Sequence, residues 1–307
     1  MKPDAFALVM ATGIVSIAAA DHGYLAISDV LIVLAAAAVP ALIVAAATAW
    51  RRKSWDLTDL DVLFRLCTYV AACAVVGARL AEHRIVLWVL ARMALQGWLS
   101  LTPVTALRMW RDRGAGLRDP AHGGWELASV ATSGLAIVTA DLKIVLLAVL
   151  FWAIAIGVYL LMTGLIVWRS IHDPAAPELM QPDMWILMGG AAIATLAGDH
   201  IHKAGLESVR PVTVVTWLVA TAWIPPLIYL TVQRFRRRRG LPQGPWWAAV
   251  FPLGMYSSAT YATAVETGWG WLTMVSLVFF WIAFAAWTLT ALHALPRIGS
   301  PPAPAAG

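Results

Sequence analysis

Val30–Trp50, VLIVLAAAAVPALIVAAATAW, runs for 21 residues without a charge. As an α-helix it extends about 32 Å, which matches the roughly 30 Å hydrocarbon core of a bilayer. Its apolar residues are continuous rather than alternating, which argues against a barrel strand. A helix satisfies its own backbone polar groups where no water can do so. The rest of the chain has the same character: 61% hydrophobic and 13% charged residues, against roughly 25% charged in soluble domains. The mean hydropathy is +0.75, so lipid is the solvent these residues require.

Working outward from that run, apolar stretches between polar breaks predict ten spans. They are Ala5–Ala20, Val30–Trp50, Val62–Ala81, Ile85–Leu107, Trp125–Ala140, Ile144–Trp168, Met184–His200, Val212–Val232, Trp246–Glu266 and Gly270–His293. The fold class is therefore an all-α membrane protein, one transmembrane domain over residues 1–296 followed by a disordered Pro/Ala-rich tail over 297–307. No soluble module fits in the remainder.

Basic residues set the orientation. Connections after the even spans hold Arg51, Arg52, Lys53, Arg108, Arg111, Arg113, Arg118, Arg169, Arg234 and Arg236–Arg239. Those after the odd spans hold only Arg84, Lys143, Lys203 and Arg210, a bias of about threefold that places both termini in the cytoplasm. The net charge of +5 is thus a topology signal and not a nucleic-acid footprint. Arg236–Arg239 reads as a helix-end anchor. Trp50, Trp125, Trp168, Trp185 and Trp246 fall at predicted span ends, as interfacial belts do. Cys67 and Cys73 point to different sides of one helix, so neither a disulfide nor a thiolate metal site is expected. Lys2, the apolar run from Ala5 and the small residues Ala18–Ala20 imitate a signal peptide, but Asp4 weakens its positive end and the segment is expected to stay.

Odd spans begin near Ala5, Val62, Trp125, Met184 and Trp246, a period of roughly 60 residues that reads as five helical hairpins. Each odd span carries interior glycine: Gly13, Gly77, Gly134, then Gly189, Gly190 and Gly198, then Gly254. Glycine permits either a bend or close backbone approach, which makes the odd helices candidates for an inner ring. They also carry Thr12, Ser16, Thr68, Ser129, Thr132, Ser133, Thr195, Ser257, Ser258 and Thr260. Such hydroxyls line a wet path without fixed charge, or bond back onto their own helix.

Four stretches resemble the tellurite-resistance/dicarboxylate transporter family: Phe6–Ser16 (FALVMATGIVS), Tyr69–Leu80 (YVAACAVVGARL), Gly124–Val138 (GWELASVATSGLAIV) and Trp246–Ser257 (WWAAVFPLGMYS). That family includes bacterial tellurite-resistance proteins, yeast malate and sulfite carriers and plant slow anion channels. The resemblance implies ten helices as five hairpins around a central pore, a homotrimer in a bacterial inner membrane, and no cofactor. It implies inner-helix kinks at Gly13, Gly77, Gly134, Gly190 and Gly254 and a pore gate at Phe251; among the hydroxyls read above, Thr12, Ser16, Thr68, Ser129, Ser133, Thr195, Ser257 and Ser258 are the pore-lining candidates. Chloride, nitrate, sulfite, tellurite and dicarboxylates are its implied cargoes. Pro252 removes a backbone donor and puts Phe251 where a helix tends to bend.

Glu126 and Arg92 depart from that pattern, Arg92 sitting well inside the fourth span. Carboxylates are nearly absent from span centres, with Glu126, Asp141, Asp199 and Glu266 near the ends, which favours passive conduction over a proton-coupled dicarboxylate or sulfite carrier. Arg65 and Arg79 lie about four turns apart on one span, placed to draw anions to two mouths or to snorkel to headgroups. Asp199, His200 and His202 diverge on a helix and read as a cap rather than a metal site. Ala131-Thr132-Ser133-Gly134 approaches the serine motif of intramembrane rhomboid proteases, with His200 two spans on, but its first glycine is replaced by Ala131.

Overall fold

A computed structural model describes residues 1–52, 55–113, 120–173, 181–237 and 246–298. Of the tail predicted over 297–307, residues 297 and 298 still belong to the last helix and the rest lies outside the described residues, as do Lys53, Arg118, Arg238 and Arg239. The long helices are α1 (Ala7–Asp21), α2 (Leu25–Arg51), α3 (Leu60–Arg79), α4 (Arg84–Arg111), α5 (Leu127–Asp141), α6 (Val145–His172), α7 (Ile186–Lys203), α8 (Arg210–Arg237), α9 (Trp247–Thr267) and α10 (Trp271–Ile298). Seven of them, α2, α3, α4, α6, α7, α8 and α10, are long and apolar enough to cross a membrane.

Two helix starts differ from the hydropathy reading. Trp125 and Met184, predicted as span starts, sit instead in short 3-10 turns, Gly123–Glu126 and Pro182–Trp185, that lead into α5 and α7. Even-numbered helices overrun their predicted ends; α4 continues through Arg108 to Arg111. Hydropathy stops at the first charges, whereas backbone hydrogen bonding does not.

Tight connections fold consecutive helices into hairpins. Gly23 (φ 77°), Lys143 (φ 64°), Gly205 (φ 112°) and Gly268 (φ 76°) take left-handed backbone conformations in the turns that follow α1, α5, α7 and α9. Lys143 does so despite carrying a side chain, which marks how sharply α5 must reverse.

The odd and even helices separate by burial. In their most apolar windows 72% of α3 and 89% of α7 residues are buried, against 22% in α2, α4, α8 and α10. In α5 every residue from Leu127 to Ala140 except Ala128 is buried. The inner helices close a ring: α1 packs on α3, α3 on α5, α5 on α7, α7 on α9 and α9 on α1, while each even helix covers its own hairpin partner. Large exposed apolar residues such as Leu34, Val44, Ile85, Leu146, Leu160 and Leu289 stand on the outer helices, where lipid is the matching solvent.

Small residues let the ring close. A Cβ placed on Gly134 would lie 2.7 Å from Ala74 Cβ, and one on Gly13 2.8 Å from Val75 Cγ1. The equivalent positions at Gly254 and Gly189 meet Ile14 and Pro252. Gly77 is looser, 3.4 Å from Val138, and Gly190 meets Tyr159 of α6. Each inner helix runs unbroken through its glycines.

Hydroxyls clip hairpins together. Ser16 and Ser28 each donate to the other's backbone carbonyl at 2.8 and 2.7 Å, joining α1 to α2. Ser257 and Ser276 repeat the arrangement between α9 and α10, at 2.8 and 2.7 Å. Outer tryptophans reach inward as well: Trp287 Nε1 donates to Thr12, Trp98 to Thr132 and Trp217 to Thr260. Trp125 is no belt residue; it is 1% exposed and its ring lies 4.9 Å from that of Phe64.

Candidate functional site

At the N-terminal ends of the inner helices the ring opens into a vestibule. All five contribute, through Asp4, Ala7 and Met10 (α1 and its lead-in), Arg65 and Thr68 (α3), Leu127 (α5), Asp183 and Ile186 (the turn before α7, and α7) and Ala248 (α9). Four inner helices reach the cavity with their first turn or the turn that leads into it, and α3 with its second and third turns. The positive ends of the helix dipoles lie on this side of the ring, which favours anions, although the first N–H groups of α5 and α7 are taken up by the 3-10 turns before them.

A chain of charged side chains runs beside the vestibule. Arg65 Nε donates to Asp61 Oδ2 at 2.6 Å and Arg65 Nη1 reaches Asp4 Oδ2 at 3.4 Å. His122 Nε2 lies 2.8 Å from Asp61 Oδ1, and its Nδ1 2.8 Å from Asp183 Oδ2. Burial alone would push the imidazole of His122 down, but the hydrogen bonds and charges of Asp183 and Asp61 outweigh it and raise it to about 9. Gly123 makes this assembly possible. A Cβ there would collide with the Asp183 carbonyl and the Met184 backbone, so only glycine lets the two 3-10 turns cross.

Above the vestibule Phe251 is 0% exposed in the core and precedes Pro252, which rests against Gly189 of α7. The hydroxyls singled out from sequence have diverse fates. Thr68 lines the vestibule. Ser16 and Ser257 belong to the hairpin clips, and Thr12 accepts from Trp287. Thr195 bonds Thr216 of α8 at 2.9 Å. Ser129 donates to Glu126 Oε2 at 2.8 Å. Ser258 is buried, and Ser133 Oγ is buried with no hydrogen-bond partner among the described residues.

The opposite ends of the inner helices are acidic, with Asp21, Asp141, Asp199 and Glu266 at the last turns of α1, α5, α7 and α9. His200 Nδ1 bonds Asp141 at 2.7 Å, Lys203 bonds Asp199 at 2.7 Å, and His202 lies 4.0 Å from Glu266. Asp199, His200 and His202 thus turn to three different partners. Among the described residues no three His, Cys, Asp or Glu are placed to share a metal. No hydrogen bond joins Ser133 to His200 among the described residues.

Arg79 turns outward to Ser28 (2.9 Å) and Asp29 (3.2 Å). Arg92 lies 5.7 Å from the Trp88 ring centroid. Glu126 is 0% exposed and accepts from Thr163 Oγ1 at 2.7 Å as well as from Ser129.

Hydropathy reading passed over Asp61, His122 and Asp183. A signal was present, because both spacings equal 61 residues, the period of the hairpins. Pro3-Asp4-Ala5-Phe6 and Pro182-Asp183-Met184-Trp185 also repeat one Pro-Asp-x-aromatic pattern before α1 and α7.

Long apolar helices wrapped around a buried ring define a multi-pass membrane protein. Residues 1–295 match the model of the voltage-dependent anion channel family, and the chain belongs to that family, in agreement with the resemblance of the four stretches quoted above. An uncharacterized membrane protein of Mycobacterium tuberculosis is 29% identical over 153 residues, covering 46% of this chain and 77% of the relative. An uncharacterized transporter of Methanocaldococcus jannaschii is 24% identical over 155 residues, 48% of this chain and 45% of the relative. A second such transporter from that organism is 24% identical over 153 residues, 48% and 44% respectively. The matched region thus spans less than half of each M. jannaschii relative.

Proposed function

We propose that this protein is an anion channel of a bacterial inner membrane, passing small anions through the axis of the inner ring. All ten helices cross the bilayer in this reading, with both termini cytoplasmic and one pore in each subunit of a homotrimer. The observation that carries it is a vestibule lined by all five inner helices near their N-terminal side, with Arg65 in its wall, where helix dipoles and a cation favour an entering anion. The cargo class is chloride, nitrate, sulfite, tellurite or a small dicarboxylate.

Phe251 is the gate. An apolar ring across a narrow path excludes water, and its displacement wets the path. Gly13, Gly77, Gly134, Gly190 and Gly254 are the positions at which the inner helices, closely packed there, can bend to allow such movement. Ser133 Oγ, buried without a hydrogen-bond partner among the described residues, is a polar contact along the way. In reconstituted vesicles Phe251→Ala raises chloride and nitrate conductance; unchanged conductance removes the gate assignment.

A second reading, proton-coupled carriage of a dicarboxylate or sulfite, draws on the carboxylates at the other mouth, Asp21, Asp141, Asp199 and Glu266. It requires uphill malate or sulfite uptake driven by a pH gradient. A channel instead passes current with no accompanying proton flux.

A further inference from the structure

The order of the vestibule's charges follows the hairpin repeat. Asp61, His122 and Asp183 occur 61 residues apart, at or just before the starts of α3, α5 and α7. Both ring nitrogens of His122 lie 2.8 Å from a carboxylate oxygen. A neutral imidazole has one N–H, and its bare nitrogen would face an acceptor with nothing between them. Both bonds therefore form together only on an imidazolium. The Gly124 N–H points at Nδ1 as a donor at 3.2 Å, a bond that only an unprotonated Nδ1 can accept; on the imidazolium the shorter, charge-assisted bond to Asp183 replaces it.

The groups around this imidazolium come from every neighbouring element. Asp61 and Arg65 belong to α3, Asp4 to the lead-in of α1, and Asp183 to the turn before α7. Arg169 of α6 donates to the Ala121 carbonyl next to it in sequence. Three carboxylates, Asp4, Asp61 and Asp183, face the vestibule cations Arg65 and His122. With His122 charged, these five side chains sum to one negative charge, and Arg169 adds a positive charge behind Ala121. Without its proton they sum to two, and Asp61 also loses the bond that leaves its other oxygen aimed at Arg65.

We infer that His122 is the positioning residue of the anion entrance: clamped between Asp61 and Asp183, its imidazolium cancels carboxylate charge that would repel anions and keeps Arg65 turned to the vestibule. This rests on the reading that anions enter there.

The test is chloride and nitrate flux in proteoliposomes, with the pH on the vestibule side stepped from about 7 to about 10. Wild-type flux is expected to fall as the pH passes about 9, where the ring loses its proton. His122→Asn is expected to be severalfold slower at neutral pH and flat across the same range. Asp61→Asn removes one of the two anionic acceptors, so the fall moves to lower pH, a displacement that a purely structural role would not produce. Thermal unfolding of each variant establishes that it is folded, and the wild-type profile needs no substitution. A flat wild-type profile, or the same fall in His122→Asn, overturns the inference. Absence of flux from both wild type and Phe251→Ala sinks the channel reading and this one with it; flux indifferent to His122 sinks this one alone.

Discussion

Gly134→Ala puts a methyl where the inner ring has no room for one. Its Cβ would lie 2.7 Å from Ala74 Cβ, about 1 Å inside ordinary carbon contact. Neither carbon can rotate aside, since each is bonded directly to its backbone, so α3 and α5 must separate or bend. Overpacking of this kind costs about 1–3 kcal/mol, offset by up to about 1 kcal/mol of improved helix propensity. The expected net loss is therefore about 0–2 kcal/mol. Ala74→Gly, at a site 1% exposed, removes a packed methyl and costs a further 1 kcal/mol or so in propensity. The double variant moves the methyl from one helix to the other and restores the contact. Its stability should lie within about 1 kcal/mol of wild type, with a coupling of about 1–3 kcal/mol in the double-mutant cycle. Unfolding of the detergent-solubilised protein by heat or denaturant measures all four corners. Strictly additive losses would show that α3 and α5 do not meet at these residues and would refute the closed ring.

Three further outcomes are expected. The His122 imidazole is held at about 9, above its ordinary 6.5, so its stabilising contribution is complete below pH 6.5 and is lost as pH rises through about 9. That contribution is on the order of 3 kcal/mol, and a melting temperature that falls over this window in wild type but not in His122→Asn is the check. Ser28→Ala removes one donor of the reciprocal pair with Ser16 and an acceptor of Arg79, costing about 1 kcal/mol in an unfolding titration. Glu126→Ala takes the acceptor from Thr163 and leaves Ser129 only the backbone carbonyl of residue 126, at a cost of about 1 kcal/mol, while Glu126→Gln keeps an acceptor and recovers most of the stability.

Particular residues show how far sequence reading reaches. The spans, the pairing into hairpins and the glycine-bearing inner helices were legible because each depends on residue type at short range. Arg79 was legible only as a charge near a helix end, because its turn away from the ring axis depends on Ser28 and Asp29 in another helix. Trp125 was misread for a related reason. An indole at a predicted span end is normally interfacial, but here a 3-10 turn carries it inward against Phe64. His122 was passed over entirely, since hydropathy assigns a lone histidine in a polar connection to solvent.

By itself the sequence determined the solvent, the number of apolar runs and their hairpin rhythm, since uncharged stretches of bilayer length have few other stable states. Only the tertiary structure decided which hydroxyls clip hairpins, which glycines carry helix contacts, and that Asp4, Arg65, Asp61, His122 and Asp183 form one connected charge cluster. Those outcomes depend on side chains from 12 to 61 residues apart reaching hydrogen-bond distance, and hydropathy, which sums along the chain, contains no term for that.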